Sequence, residues 1–182
     1  MLKVIGVSQP SDLRRCEVQT GWYVPLIVRL QPVHPDATTE WYWSTGYLDD
    51  NIIEMAFSAS DELLYIKCVS LIRCPHCTFG RDAMSYPIRE SLVVERPSNL
   101  RGATGQMGLL SLKETARLCC GLVDDTIHVG WHAEERQNLR SISVGTRLML
   151  ILGEDESIVG MIVTGLSAYE KAELQEYFVR HE

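Results

Sequence analysis

The chain carries IIEMAFSASDELLYIKCVSL at residues 52–71, which is an apolar run, a short acidic break and a second apolar run. This pattern predicts two antiparallel strands joined by a turn. A second stretch, RLMLILGEDESIVGMIVTGL at residues 147–166, has the same form. A shift of 95 residues aligns the two and places Leu71 on Leu166. We therefore expect two similar hairpin-containing lobes, related either by duplication or by chance in a β-rich protein.

The composition is that of a globular protein. Of the 182 residues, 46% are hydrophobic and 23% are charged, which is enough apolar material for a proper core. The segment 73–108 is rich in proline and glycine and is the best candidate for a linker or long loop. We expect a single domain over 1–182, built either as one body or as two lobes, 1–72 and 109–182, joined by that segment.

The remaining strand and helix signals predict an α+β fold with antiparallel sheets. Strand-like runs at 22–30 and 40–44 precede the first hairpin, so residues 22–72 are expected to form a four-stranded antiparallel meander. Residues 91–95 and the alternating run 126–132 are two further strands.

Two helices are predicted from capping-box patterns, in which a serine is followed three residues later by a glutamate. Ser111 and Glu114 predict a helix near 111–122, with Cys119 on its apolar face. Ser167 and Glu170 predict a C-terminal helix near 168–181. A helix packed on each sheet is the expected assembly.

The charge balance excludes one class of partner and favours another. The net charge of −7 argues against nucleic acid, because binding to phosphates is driven by lysine and arginine. An acidic protein is better matched to a basic protein partner. The sequence contains no apolar run of about 18 to 20 residues, and its first residues do not resemble a signal peptide. We therefore expect a cytoplasmic protein with reduced cysteines and no membrane partner.

Cysteine chemistry is the most specific local signal. Cys74 and Cys77 form a C-x-x-C pair around Pro75 and His76, which can exchange disulfides when a thiol pKa is depressed. The four residues resemble the active-site motif of the DsbA-type thiol oxidoreductases, but the following sequence lacks the helix that this chemistry needs. The same pair could provide half of a zinc site, with Cys68 or His76 nearby in sequence and Cys119-Cys120 supplying the rest.

Zinc is disfavoured because adjacent thiolates rarely reach one tetrahedral ion together. Cys119 and Cys120 are therefore interpreted as buried small hydrophobic residues. His128 and His132 lie about 13 Å apart along a strand, too far to hold one ion without a third ligand. The sequence contains no hydrolase or nucleotide-binding motif. No cofactor, metal ligand or catalytic residue is predicted, and the protein is expected not to be an enzyme.

Acidic clusters at predicted turns are the remaining candidates for a functional surface. Turns are solvated, so clustered carboxylates there need no function. If the two hairpin tips lie on one side of the molecule, they would create a negative field that steers a basic partner. The candidate partner-binding residues are Asp61, Glu62, Glu134, Glu135, Glu154, Asp155 and Glu156.

Several stretches resemble a small α+β family of bacterial immunity proteins, which neutralise secreted or contact-delivered toxins. They are GYLDDNIIE at 46–54, YIKCVSL at 65–71, VGTRL at 144–148, GEDE at 153–156 and LSAYE at 166–170. The resemblance implies a non-enzymatic cytoplasmic inhibitor that occludes a toxin domain, and it transfers no functional residue.

Two alternatives from other functional classes stay open. The chain could be a structural or assembly subunit that oligomerises through exposed strand edges. It could instead be a thiol redox or zinc-binding protein centred on Cys74 and Cys77.

Overall fold

The computed structural model describes residues 2–8, 13–47, 51–72, 74–79, 91–96, 110–131 and 138–181. Within these ranges the fold is mostly β, with one helix at the C-terminal end. The strands are β1 Val4–Ser8, β2 Cys16–Thr20, β3 Leu26–Leu30, β4 Trp41–Tyr47, β5 Asn51–Phe57, β6 Leu63–Leu71, β7 Ser91–Val94, β8 Leu110–Thr115, β9 Leu118–Val123, β10 Thr126–Trp131, β11 Arg140–Gly145, β12 Leu148–Leu152 and β13 Ile158–Val163. The helix α1 spans Ala168–Arg180.

The strands form two large sheets and one small one. The first sheet has the order β2-β3-β6-β5-β4-β8, and the second has the order β11-β12-β13-β10-β9. All neighbours are antiparallel except β4 and β8, which run parallel. Strands β1 and β7 form a separate two-stranded ribbon. The prediction of a mainly antiparallel α+β fold is confirmed.

The two predicted hairpins are present and have the same turn geometry. In the first turn Ser58 N–H donates to Glu62 O at 2.9 Å, and in the second Gly153 N–H donates to Ser157 O at 2.9 Å. Asp61 and Glu156 occupy equivalent positions, and both have a φ of 62°. Such left-handed φ values are uncommon outside glycine, so sharing one indicates the same turn type.

The strand order also repeats between the sheets. Strands β2 to β6 lie in the order first, second, fifth, fourth, third, and strands β9 to β13 lie in that same order. Strand β8 is an addition to the first sheet beside β4. The five-strand pattern therefore occurs twice along the chain.

The meander predicted over 22–72 is wrong in its connectivity. A meander would pair β3 with β4. Instead β3 pairs with β6, and the four strands lie in the order β3-β6-β5-β4. The strand predicted from residue 22 begins only at Leu26, because Pro25 lacks the N–H that a strand between two neighbours needs. Strand β2, which the sequence analysis did not predict, covers the outer side of β3.

The helix predicted near 111–122 does not form. The stretch divides into β8, which pairs with β4, and β9, which pairs with β10 through a turn at Asp124 and Asp125. The Ser111 and Glu114 pattern favours a helix start only where no strand pairing competes for the backbone hydrogen bonds. Here backbone pairing with β4 and β10 determines the conformation. The helix prediction used only local sequence, and the tertiary pairing outweighs that local preference.

The C-terminal helix is confirmed, together with its cap. The Ser167 hydroxyl accepts from Glu170 N–H at 3.2 Å, and a Glu170 carboxylate oxygen accepts from Ser167 N–H at 2.6 Å. Leu174 and Tyr177 of this helix are buried. Tyr177 also ties the helix to the first sheet, because Leu71 N–H donates to its hydroxyl oxygen at 3.2 Å.

One hydrophobic core takes side chains from both large sheets. In β5, Ile53, Met55 and Phe57 alternate into it, as a strand with one buried face requires. Trp43 of the first sheet and Trp131 of the second are fully buried, and their ring centroids lie 5.9 Å apart. The single helix of the described chain is too short and too polar to span a membrane.

Candidate functional site

The cysteine segment 74–79 runs beside β9, which is the edge strand of the second sheet. Cys77 N–H donates to Cys120 O at 3.0 Å, and Cys120 N–H donates to Pro75 O at 2.9 Å. These two bonds form a parallel β-bridge between His76 and Cys120. The segment therefore covers the sheet edge instead of beginning a helix, and the arrangement needed for DsbA-type chemistry is not formed.

Glycines in the second sheet let this segment approach closely. A Cβ on Gly121 would lie 2.1 Å from Cys77 O, and a Cβ on Gly160 would lie 2.6 Å from the Phe79 ring. Real side chains do not tolerate such distances, so both positions require glycine. Phe79 packs with Ile151 and Val159 in a small buried cluster on the outer face of the sheet.

Cys74, Cys77, Cys119 and Cys120 form two pairs. Each pair takes one thiol from the cysteine segment and one from β9. Neighbouring residues of a strand point to opposite faces, so Cys119 and Cys120 lie on different sides of β9. Cys120 forms a side-chain hydrogen bond with Cys74, and Cys119 forms one with Cys77. The C-x-x-C motif therefore supplies one thiol to each pair.

The two thiols of the first pair have pKa shifts of opposite sign. The hydrogen bond from Cys120 lowers the pKa of Cys74, against the opposing effects of burial and of Cys119. The same hydrogen bond, and then burial, raise the pKa of Cys120. Cys74 is thus the thiol of this pair that ionises first, with Cys120 as its hydrogen-bond donor.

In the second pair, Cys77 is hard to ionise. The hydrogen bond to Cys119, followed by burial, raises the pKa of Cys77. Cys119 itself is only 4% exposed. Cys119 is buried, as interpreted from the sequence, although it lies in a strand and not in the predicted helix.

Cys74 and Cys120 line a groove of about 510 Å³ between β9 and α1. The groove walls include Leu71 and Leu122 from the strands and Phe178 from the helix. His76, which is exposed, and the helix C-cap residue His181 also line it. The first thiol pair is therefore at a surface that small molecules can reach.

His128 alternates with Ile127 and Val129 along β10 and is buried. Its Nδ1 accepts a hydrogen bond from Phe79 N–H at 3.3 Å. Burial, and then the nearby His76, lower the pKa of His128. Its role is to hold the cysteine segment, whereas His132 lies outside the described residues.

The described residues contain no group of three or more histidines, cysteines or carboxylates arranged to hold a metal ion.

The acidic residues of the first hairpin tip are used within the fold. Asp61 accepts from Trp41 Nε1 at 2.9 Å and from Arg96 Nε at 2.7 Å. Glu62 is 7% exposed, forms an ion pair with Arg14 at 2.9 Å and accepts from the Val33 N–H. Their charges are largely compensated by arginine, which the sequence analysis did not anticipate.

The second tip keeps more of its negative charge at the surface. Glu154 is exposed and contacts the Asn138 amide, which is neutral. Glu156 forms an ion pair with Arg140. Asp155 is exposed and accepts a hydrogen bond from Ser157 N–H at 3.3 Å, which stabilises the turn. The remaining candidates, Glu134 and Glu135, lie outside the described residues.

Both hairpin tips lie at the same end of the molecule, where the β1–β7 ribbon connects them. Val4 N–H of β1 donates to Glu156 O in the second tip at 3.0 Å. Glu95 N–H, just after β7, donates to Lys3 O at 2.8 Å, and the next residue, Arg96, binds Asp61 in the first tip. The two hairpin tips therefore lie on the same side of the molecule.

Trp22 and Tyr23 form an exposed aromatic pair. Trp22 is 62% exposed and Tyr23 is 94% exposed, in the bend between β2 and β3. The Arg180 guanidinium of α1 lies 3.7 Å from the centroid of the Trp22 ring. The other three tryptophans are buried, so Trp22 is the one available as an interface anchor. In the sequence, the nearby Pro25, which ends the bend, was the available signal that Trp22 and Tyr23 precede the strand.

Comparison with known proteins adds no family to this description. A scan against protein-family models gives no match, and a search of curated proteins gives none.

Proposed function

We propose that this protein is a non-enzymatic immunity protein that binds a basic toxin domain and neutralises it by occlusion. The observation that carries the proposal is the position of the two hairpin tips, which meet at one end of the fold. Glu154 and Asp155, which are both exposed, contribute negative charge there, in a protein whose net charge is −7. Such a field raises the rate at which a basic partner associates.

The first tip has a supporting part in this proposal. Asp61 and Glu62 are held by Arg96 and Arg14, so they fix the shape of the surface and contribute little net charge. The contacts with the partner are assigned to the second tip. The exposed Trp22 and Tyr23 have the composition of an interface anchor and could provide a second contact area.

The two-lobed organisation belongs to the same proposal. The repeated strand order and the matching turns at Asp61 and Glu156 support an origin of the two sheets by duplication. A duplicated fold would place a pair of similar tips side by side, which enlarges the surface that one partner can contact. The cytoplasm is the proposed compartment, because an immunity protein acts where its toxin acts.

The test begins with co-expression of the tagged chain and the proteins encoded beside it. Native mass spectrometry should detect one basic protein bound at a ratio of one to one. Association rates are then measured by surface plasmon resonance for a double variant, Glu154→Lys with Glu156→Lys. We expect its association rate to fall by about tenfold at low salt, because attraction becomes repulsion.

The matched control is Asp124→Lys with Asp125→Lys. It makes the same change in net charge at the opposite end of the second sheet and also alters one residue of positive φ, because Asp124 has a φ of 54°. The control should associate at close to the rate of the unmodified chain. Equal losses in both double variants, or the recovery of homo-oligomers alone, would reject the proposal.

A further inference from the structure

The groove beside α1 places two thiols against each other and in reach of solvent. Cys74 is half-buried and Cys120 is 6% exposed, and both line the groove. They are hydrogen-bonded to each other, although 46 positions separate them in the sequence. Backbone bonds from Cys120 to Pro75 and Cys77 fix the strand and the segment in this register.

The geometry points to Cys74 and Cys120 as a peroxide-reactive dithiol site, at which Cys74 is oxidised first and Cys120 then closes a disulfide. The oxidant is a hydroperoxide, small enough to enter a groove of about 510 Å³. This differs from exchange within the C-x-x-C motif, because the resolving thiol comes from β9 and not from Cys77.

The first step uses the thiolate of Cys74, which attacks one oxygen of the peroxide. The S–O bond forms as the O–O bond breaks, so that the sulfur loses two electrons and the peroxide gains them. The departing oxygen takes up a proton and leaves as water when the oxidant is hydrogen peroxide. The product is a sulfenic acid on Cys74.

In the second step the sulfur of Cys120 attacks the sulfenic sulfur of Cys74. The S–S bond forms as the S–O bond breaks, and the hydroxyl group leaves as water with the proton of the Cys120 thiol. The disulfide links residues 74 and 120, and so it fastens the cysteine segment to the sheet edge beside the groove.

Cys16, Cys68 and Cys77 are poorer candidates for the first step, and Cys119 is only 4% exposed. Thiolate is the reactive form, and a lower pKa increases its fraction. Burial raises the pKa of both Cys16 and Cys68. The pKa of Cys77 is raised by its hydrogen bond to Cys119 and by burial. Cys74 is the cysteine that combines a lowered pKa with a position in the groove.

The experiment compares two double variants of the full chain. Cys77→Ser with Cys119→Ser keeps the Cys74–Cys120 pair, and Cys74→Ser with Cys120→Ser keeps the other pair. Each is treated with hydrogen peroxide, and the loss of two hydrogens is followed by intact mass. We expect the first variant to react at least about tenfold faster, because Cys74 and Cys120 line the groove whereas Cys119 is only 4% exposed.

The single variant Cys120→Ser identifies the first oxidised atom. It should accumulate a sulfenic acid on Cys74 that dimedone traps, whereas Cys74→Ser should give no such adduct on Cys120. Cys16 and Cys68 should stay reduced in every variant. Circular dichroism of each variant checks that the fold is retained.

The unmodified chain provides a readout that does not depend on any substitution. After peroxide treatment, fragmentation of its disulfide-linked peptides should locate a bond between Cys74 and Cys120. A bond between Cys74 and Cys77, an intermolecular bond, or equal oxidation rates in the two double variants would overturn the proposal.

Discussion

At the scale of single residues, Gly121 and Gly160 decide where the cysteine segment can lie. Each faces an atom of residues 77–79 at a distance that excludes a Cβ. The chain therefore uses two small positions on β9 and β13 to admit the segment to the sheet surface. Without them Cys74 and Cys77 would be held away from the cysteines of β9.

The substitution Gly121→Ala should destabilise the protein by about 2 to 3 kcal/mol, because the new methyl group would meet the Cys77 carbonyl at 2.1 Å. Chemical denaturation measures the free energy of unfolding. Gly21→Ala is the matched control, because its Cβ would meet Val24 O at an ordinary 3.6 Å. Equal stability of the two variants would show that the segment does not dock as described.

At the scale of elements, Glu170 connects α1 to the second sheet. Its carboxylate accepts from Ser167 N–H at the helix cap and from both terminal nitrogens of Arg147, at 3.2 and 2.9 Å. Arg147 lies just before β12 and also donates to the backbone oxygens of Thr164 and Gly165. One side chain thus fixes both the start of the helix and its orientation.

The pKa of Glu170 lies below its ordinary value of 4.5, because bonds from Arg147 and Ser167 outweigh the opposing effect of burial. The ionised form therefore favours folding. This stabilisation is fully present above pH 4.5 and is lost as the pH falls through the lower pKa of the folded state.

The substitution Glu170→Gln should lower the free energy of unfolding by about 1 kcal/mol at neutral pH. The difference from the unmodified chain should shrink in acid, below the ordinary pKa of glutamate, because the native carboxylate is then being protonated as well. Urea unfolding at a series of pH values tests this. Glu176→Gln on the same helix, with a half-exposed side chain, serves as the control and should change stability by less than about 0.5 kcal/mol. A difference that does not depend on pH would contradict the assigned role of the charge.

At the scale of the whole molecule, the two sheets share one core. Trp43 and Trp131 contact each other across it, and both are fully buried. The Trp131 indole also donates to Ile158 O at 2.8 Å, whereas the Trp43 indole nitrogen has no hydrogen-bond partner among the described residues. Neither sheet can expose its inner face without exposing the other.

We expect a single cooperative unfolding transition, with coincident curves from far-ultraviolet circular dichroism and tryptophan fluorescence. Trp131→Phe should destabilise the whole molecule by about 1 to 3 kcal/mol more than Trp43→Phe, because it leaves the buried Ile158 carbonyl unpaired. Two separate transitions would show that the sheets fold as independent lobes, and equal losses in the two variants would contradict the assigned role of the Trp131 hydrogen bond.

The elements predicted correctly are those that local sequence controls. The two hairpins follow from apolar runs around short polar turns, and α1 follows from a cap that involves only residues 167 and 170. The same capping pattern at Ser111 and Glu114 was misleading. Its outcome depends on pairing with β4 and β10, which no short window of sequence reports.

The sequence by itself determined the mainly antiparallel α+β class, the two hairpins and the C-terminal helix, because these depend on periodicity and capping within a few residues. Only the tertiary structure decided which residues meet over long separations. It paired Cys74 with Cys120, placed Arg96 and Arg14 on the first acidic tip, and joined the tips through the β1–β7 ribbon. Such contacts arise from strand order and sheet packing, which are properties of the whole chain and are not written in any one segment of it.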